Sequence, residues 1–370
     1  MDYTIITAWY DVRERENHYK KDDKTNKFFC SMDWYFDSAK QLFEKPFPMV
    51  IFTEPRFKDL ILQSRPSHLH EQTKFIFRTY EELLYYDLFP KYEENHSKNP
   101  IHNVTKEKFT ALYKFIVNQK VNFVKEVIET NPFRTDKFAW MDMRLHCVYD
   151  MDIDETNTIM NQLPIDQVRL MQMAYTDPVY DRRDFYAWIR GKVAAGFLGG
   201  HREPLLKFCE LCQKEFIQAI EEETAPTDEM IYSFIISHNP SLFDVYVGEY
   251  CDCLKNQLCI RNSLHLVFPF LQGSYDRGVH RYVTALSKRI RRGYNEHGLQ
   301  LHADQMFKTW FYAYVSHCHL QENEEAVDVL NEYLDIAQKR EDVTQYIRDN
   351  RESISGNIIN NILLDRLASI

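Results

Sequence analysis

A carboxylate ends an apolar run in the segment KFAWMDMRLHC, residues 137–147, and Arg144 follows it two residues later. The run 138–141 predicts a short buried strand with Asp142 at its carboxyl end. Such a carboxylate needs a partner, because an unpaired buried charge is costly. Two interpretations stay open from this segment. Asp142 pairs with Arg144 or a backbone N–H, or it binds a ligand at the sheet edge where α/β folds place their sites.

A second acidic run, YDMDIDET, places Asp150, Asp152 and Asp154 at alternate positions. It begins like a calcium-binding loop, but the sixth position is Glu155 instead of glycine and the twelfth is Asn161 instead of glutamate. The mismatch favours a solvated strand or loop over an ion site.

The elements that would position these groups alternate between strand and helix. Apolar runs predict strands at 3–10, 48–54, 74–80 and before Asp142, and helical spacing predicts helices at 31–44, 106–129 and 203–220. This alternation predicts an α/β fold with a mainly parallel sheet flanked by helices. From residue 256 onward the pattern is all-helical, which predicts two domains, 1–255 and 256–370.

Glycine is absent from the first 190 residues, and four of the ten glycines fall in GKVAAGFLGG, 191–200. A glycine-rich phosphate loop follows an early strand, so the N-terminal half cannot supply one. Any phosphate would have to be held by cations, a metal ion or side chains. Lys120, on the helix before the Asp142 strand, is a candidate.

Composition narrows the class of protein further. The net charge of −10 argues against general nucleic-acid binding, which needs a positive surface. No apolar run approaches the roughly 18 residues of a membrane span, and the N-terminus lacks a secretory signal pattern. Eight scattered cysteines fit reduced thiols. These features indicate a cytoplasmic protein.

Five segments in consistent order resemble the HtrL/YibB-like family. They are TIITAWYDVRE (4–14), PMVIFTE (48–54), VKEVIETNPFRTDKFAWMDMRL (124–145), AAGFLGGHREPLLKFCE (194–210) and TDEMIYSFIISHNPSLFDVYVGEY (227–250). That family looks like GT-A-fold glycosyltransferases, which have a Rossmann-related fold. The resemblance therefore implies a nucleotide-sugar-binding domain over most of 1–255.

The resemblance also implies positions for the donor nucleotide sugar. Residues after the first and second strands would contact the nucleotide, and the glycine segment would border the donor sugar and acceptor. These residues are Thr7, Ala8, Asp11, Thr53, Glu54, Gly199 and Gly200. Asp142 falls at the first Asp of the Asp-x-Asp motif, whose second Asp is replaced by Arg144.

The late acidic pair Asp228 and Glu229 matches carboxylates that face the reacting sugar in similar enzymes. GT-A enzymes commonly use Mn²⁺ or Mg²⁺ to stabilise the departing pyrophosphate, so Asp142 and His201 are the candidate metal ligands. Arg144 is expected either to pair with Asp142 or to bind the pyrophosphate in two-pronged fashion.

Three hypotheses on function remain. The first is a glycosyltransferase that takes a nucleotide-sugar donor and a glycan or protein acceptor, with the C-terminal helices binding the acceptor or a protein partner. The second is a non-catalytic glycan- or protein-binding module on a decayed GT-A scaffold, which Arg144 favours. The third is a metal-dependent nuclease or hydrolase built on Asp142 and the acids of 150–154.

Overall fold

The computed structural model describes residues 2–15, 32–102, 110–143, 152–188 and 192–349. These residues divide into two compact units. The first unit contains those up to Asp244 together with Tyr250–Leu254. The second contains Val245–Glu249 and the residues from Lys255 onward.

A mixed sheet of seven strands forms in the described part of the chain. The strands are β1 (Tyr3–Trp9), β2 (Met49–Thr53), β3 (Thr73–Phe77), β4 (Lys137–Met141), β5 (Val168–Gln172), β6 (Val193–His201) and β7 (Phe243–Val247). Their spatial order is β3-β2-β1-β4-β6-β5-β7. β1 is parallel to β2 and β4, and β2 is parallel to β3. β1 and β2 are almost wholly buried, which explains their continuous apolar sequences.

The predicted mainly parallel sheet is therefore mixed, because β6 is antiparallel to both β4 and β5. β6 is the glycine-rich run, and it is buried over eight of its nine residues. A fully buried strand shows no alternation of apolar and polar residues, and its sequence does not predict whether it runs parallel or antiparallel to its neighbours. The glycines were expected to line a ligand, but they belong to the sheet itself.

Helices flank the sheet in the first unit and make up most of the second. In the described residues of the first unit they are α1 (Val12–Arg15), α2 (Met32–Phe43), α3 (Lys58–Ser64), α4 (Phe89–Lys98), α5 (Ala111–Asn118), α6 (Lys120–Thr130), α7 (Ile153–Asn161), α8 (Arg182–Tyr186), α9 (Arg202–Glu221) and α10 (Asp228–His238). No helix in the described ranges is long and apolar enough to cross a membrane.

The helix predicted at 106–129 is two helices, α5 and α6, that meet at Gln119. The Thr110 side chain accepts a hydrogen bond from the N–H of Tyr113 and so begins α5. Residues 103–109 lie outside the described part. The break makes Lys120 the first residue of α6.

The second unit is helical, as the sequence predicts. Its described helices are α11 (Leu264–Asp276), α12 (His280–His297), α13 (Ala303–His319), α14 (Asn323–Lys339) and α15 (Glu341–Asp349). Their core includes the fully buried Trp310. Gly293 of α12 allows a close approach, since a Cβ there would lie 2.0 Å from the carbonyl oxygen of Ile260.

Candidate functional site

The candidate site lies at the carboxyl ends of β1 and β4, where the strand order reverses. From β1 the chain proceeds to β2 and β3 on one side, and β4 lies on the other side of β1. Loops diverge at such a switch point and leave a crevice, which is where open α/β sheets bind ligands. Asp11 follows β1 and Asp142 follows β4 at this edge.

Lys120 forms ion pairs with two carboxylates here. Its Nζ lies 3.0 Å from Oδ1 of Asp142 and 2.8 Å from Oδ2 of Asp228. The side chains of Lys120 and Asp228 are 9% and 5% exposed, whereas that of Asp142 is 34% exposed. The structure thus brings together the end of β4, the start of α6 and the start of α10.

The ammonium of Lys120 makes a third contact, with the carbonyl oxygen of Ala195 in β6 at 3.2 Å. The contact with Ala195 has hydrogen-bond geometry, whereas those with the two carboxylates are ion pairs. Burial opposes the charged form, but the carboxylates of Asp142 and Asp228 hold the pKa of Lys120 well above its ordinary value. The sequence suggested Lys120 as a phosphate ligand. In the structure its ammonium contacts protein groups.

Asp142 is fixed by its own strand and by β6. The indole Nε1 of Trp140 donates to Asp142 Oδ1 at 2.7 Å, and the backbone N–H of Asp142 donates to the carbonyl of Gly196 at 2.9 Å. The contacts with Trp140 and Lys120 both use Oδ1. Within the described residues these side-chain contacts leave Oδ2 for a ligand, and the carboxylate is 34% exposed.

Asp228 and Glu229 occupy the first turn of α10. Thr227 precedes them as the helix cap, and its side chain accepts from the N–H of Met230. Glu229 Oε1 accepts a long bond, 3.4 Å, from the N–H of Ala195.

Both carboxyls have raised pKa values. Burial raises the pKa of Asp228, and Lys120 opposes that rise. Burial and then the charge of Asp228 raise the pKa of Glu229 to about 7. Glu229 can therefore exchange a proton near neutral pH, which suits an acid or base catalyst.

Tyr250 is a neighbour of this cluster that the sequence gave no reason to select. Burial raises the pKa of its hydroxyl, and the carboxylates of Glu229 and Asp142 raise it further. Its side chain nevertheless keeps 42% of its surface exposed. An exposed aromatic side chain beside carboxylates suits the apolar face of a sugar ring.

The segment 224–226, which precedes the acidic pair, is held by buried side chains of α4 and α5. Four of them donate to its carbonyl oxygens: Tyr92 to Pro226 (2.6 Å), Asn95 to Thr224 (3.2 Å), Lys114 to Ala225 (2.7 Å) and Asn118 to Pro226 (2.9 Å). Lys114 is fully buried, and desolvation lowers its pKa to about 7. These bonds fix the backbone from which Asp228 and Glu229 project.

The residues predicted at the ends of β1 and β2 lie at the same sheet edge. Thr7 is buried within β1, and its hydroxyl has no partner among the described residues. Ala8 follows it. The hydroxyl of Thr53 donates to the carbonyl of Trp9 at 2.9 Å, so it fastens β2 to β1.

The predicted acids of these two loops already have protein partners. Asp11 is 3% exposed, and its Oδ1 accepts from the N–H of Glu14. Glu54 pairs with Arg56 at 2.9 Å. Their placement agrees with a ligand at this edge, but their contacts alone do not require one.

Gly199, Gly200 and His201 lie away from Asp142. Gly199 pairs with Ala139, and His201 pairs with Lys137 at the beginning of β4. Five residues of strand, roughly 16 Å, separate Lys137 from Asp142. The expectation that the two glycines border the sugar is not supported by this placement. A Cβ on Gly200 would lie 2.9 Å from the backbone oxygen of Gln167, so packing explains that glycine.

The described residues do not fit the expected Mn²⁺ or Mg²⁺ ion. Asp142 and His201 are too far apart to share one ion, and the ammonium of Lys120 lies between Asp142 and Asp228. Within the described ranges, no group of three or more His, Cys, Asp or Glu side chains is arranged to hold a metal.

Two predicted groups lie wholly or partly outside the described residues. Arg144 and Asp150 are among the residues not described. Asp152 caps α7, and its Oδ1 accepts from the N–H groups of Asp154 and Glu155 at 2.8 and 3.1 Å. This cap gives Asp152 a structural role.

Trp140 could have been identified from the sequence. Residues two apart in a strand point to the same face, so the indole two positions before Asp142 was a candidate partner. Lys120 was selected as a candidate phosphate ligand, but its pairing with Asp142 and Asp228, and the contact with Ala195, had no such signal.

Comparison with known proteins gives a family and distant similarity to solved structures. A family model described as "Bacterial protein of unknown function (HtrL_YibB)" matches residues 1–258. No curated protein matches the sequence. Among solved structures, the chain is similar to 4-diphosphocytidyl-2C-methyl-D-erythritol synthase from Anaerococcus prevotii DSM 20548. The TM-score is 0.33 at 7% identity, covering 74% of this chain and 96% of that chain. A similarity of this size assigns neither fold nor activity.

Proposed function

The chain belongs to the HtrL_YibB family, and we propose that its first unit is a GT-A-like glycosyltransferase. It moves a sugar from a nucleotide-sugar donor, with UDP among the candidate nucleotides, to a glycan or protein acceptor. One observation carries the proposal. Glu229, whose pKa is raised to about 7, stands beside the ion-paired Asp142, Lys120 and Asp228 at the switch point of the sheet.

The charge of the cluster favours a sugar over a phosphate at this place. Among the described residues, one ammonium, that of Lys120, faces the two carboxylates of Asp142 and Asp228, so this cluster is negative before Glu229 is counted. A negative cluster repels phosphate. Its carboxylate oxygens accept hydrogen bonds from hydroxyl groups. We therefore assign the sugar to Asp142 and Glu229, and the diphosphate to neighbouring parts of the crevice.

Glu229 supplies the proton chemistry in this proposal. The acceptor hydroxyl oxygen bonds to the anomeric carbon while the bond from that carbon to the phosphate oxygen breaks. The electron pair leaves with the nucleotide diphosphate, and the hydroxyl proton passes to the Glu229 carboxylate. A positioned base of this kind contributes about 100- to 10,000-fold in rate.

Asp142 and Asp228 have different roles. Asp142 is partly exposed and accepts from sugar hydroxyls, whereas Asp228 is buried and holds Lys120. Asp228 therefore acts through Lys120 and is a positioning residue.

A thermal-shift panel tests the binding half of the proposal. The full chain is heated with UDP, GDP, CDP, dTDP or CMP and with the matching nucleotide sugars, each with and without Mn²⁺. A ligand at 100 times its Kd stabilises the fold by about 2.7 kcal/mol, which gives a measurable rise in Tm. We expect one nucleotide class to raise Tm, and its sugar form to raise it further in wild type than in Asp142→Asn.

Two results would count against a transferase. If no nucleotide or nucleotide sugar changes Tm, the donor assignment is wrong. If free glycans alone raise Tm, the non-catalytic binding module becomes the better account.

A further inference from the structure

We propose that Lys120 takes the place of a divalent cation, so that the carboxylates of Asp142 and Asp228 bind no metal in this protein. The role of Lys120 in catalysis rests on the function proposed above. The position of Lys120 between the two carboxylates is independent of that function. Lys120 is the chain's own cation at the edge where nucleotide-dependent α/β enzymes commonly hold Mg²⁺ or Mn²⁺.

The contact distances are those of an ammonium. Lys120 Nζ lies 3.0 and 2.8 Å from the two carboxylate oxygens, which are the distances of ammonium–carboxylate ion pairs. Mg²⁺ binds oxygen at about 2.0–2.1 Å and demands near-octahedral geometry. One atom bridges the two carboxylates in this structure, and a metal ion would have to displace it.

The surroundings of the ammonium oppose its displacement. The Lys120 side chain is 9% exposed, and its ammonium donates a hydrogen bond to the backbone carbonyl of Ala195. A displaced ammonium would lose this hydrogen bond and both ion pairs. Its charge would also remain beside the ion and repel it.

The substitution of a lysine for a metal has a chemical consequence. A metal ion neutralises the leaving diphosphate by direct contact, whereas the donors of Lys120 are used by the protein. In the proposed reaction Lys120 holds the carboxyl groups of Asp142 and Asp228 in place. Other groups in the crevice compensate the negative charge of the diphosphate.

Titration with Mn²⁺, followed by electron paramagnetic resonance, tests this inference without any measurement of sugar transfer. The full chain is compared with Lys120→Ala. The matched control is Lys125→Ala on the same helix, since Lys125 is partly exposed and pairs with Glu210 at 3.7 Å.

We expect wild type and Lys125→Ala to bind no Mn²⁺ at this site. Lys120→Ala should bind one equivalent and gain thermal stability from it, because two carboxylates then face a space without their cation. Asp142→Asn, added to Lys120→Ala, should remove that binding.

Two results would overturn the inference. The first is stoichiometric Mn²⁺ binding by wild type that is lost in Asp142→Asn. The second is a folded Lys120→Ala that binds no Mn²⁺, because Lys120 would then not be filling an ion site. If Lys120→Ala does not fold, Mn²⁺ binding by wild type is compared with that by Asp142→Asn. Equal and negligible binding by both supports the inference. Binding by wild type that Asp142→Asn loses contradicts it.

Failure of this test and failure of the proposed function are distinguishable. A wild-type metal site would overturn the role of Lys120 while a sugar transfer remained observable. Absence of transfer with an unchanged Mn²⁺ result would overturn the function and leave the lysine-for-metal inference standing.

Discussion

The buried Lys114 behind the acidic pair predicts a specific dependence of stability on pH. Desolvation lowers its pKa from 10.5 to about 7 in the folded chain. Between these values the unfolded chain holds the proton and the folded chain does not. Unfolding therefore takes up a proton, and the free energy of unfolding rises with pH through this window.

The magnitude follows from the two pKa values. At about pH 7 half of the folded molecules carry the Lys114 proton, and at about pH 9 almost none do, while the unfolded chain remains protonated throughout. Integration over that interval gives about 2 kcal/mol, from about 1.4 kcal/mol per pKa unit. Lys114→Met lacks the titrating group and should lack this rise.

Urea unfolding of wild type and Lys114→Met at both pH values measures the effect as a double difference. We expect wild type to gain about 2 kcal/mol relative to Lys114→Met between about pH 7 and pH 9. The control Lys125→Met, in the neighbouring helix, should show no such change. A wild-type advantage that stays constant with pH would refute the reasoning, because Lys114 would then keep its charge in the folded state.

Three further predictions concern the site and its scaffold. The rate of sugar transfer should rise as pH increases through about 7, because the pKa of Glu229 is raised to that value and its ionised form is the base. Glu229→Gln should lower kcat/KM by about 100-fold or more and should remove this pH dependence. Gly200→Ala should lower the free energy of unfolding by about 1–3 kcal/mol in urea titrations, since its Cβ would meet the backbone oxygen of Gln167 at 2.9 Å. The buried guanidinium of Arg65 donates hydrogen bonds to several backbone carbonyls in 43–47, and each carbonyl left unpaired costs about 1–3 kcal/mol. Arg65→Met should therefore lower the thermal midpoint, and Arg65→Lys should lower it as well.

The strands of the first half could be predicted because their sequences are continuously apolar. β1, β2, β3 and β4 lie within a few residues of the predicted ranges. The direction of β6 could not be predicted, since a fully buried strand carries no signal for the neighbour it joins. The family resemblance implied that the glycines of β6 border the donor sugar; in the structure a Cβ on Gly199 or Gly200 would lie close to neighbouring residues.

The acids of the candidate site could be selected from the sequence, but their partner could not. From the sequence, Asp142 was expected to pair with Arg144 or a backbone N–H, or to bind a ligand. In the structure it pairs with Lys120, which the break at Gln119 brings to the start of α6. That contact depends on how α6 packs against β4, and the spacing of residues in the sequence does not predict it. The sequence therefore selected the carboxylates and Lys120 separately, but did not predict that they pair.

The structure also changes how the acidic residues should be tested. Asp228→Ala would leave the buried ammonium of Lys120 with one carboxylate fewer, and breaking a buried ion pair costs about 3–5 kcal/mol. A loss of activity in that variant would confound folding with chemistry. Glu229→Gln avoids this problem, because Glu229 makes no ion pair with Lys120 among the described contacts.

The central claim is that Glu229 acts on a nucleotide sugar, and release of nucleotide from the donor tests it most directly. Purified full chain is incubated with a panel of nucleotide sugars, with water as the acceptor, and the product is followed by phosphorus-31 NMR. The account predicts that wild type and the control Glu210→Gln, an exposed glutamate of α9, release nucleotide diphosphate from one donor class, and that Glu229→Gln does not. Equal release by wild type and Glu229→Gln, or no release from any donor, would contradict it.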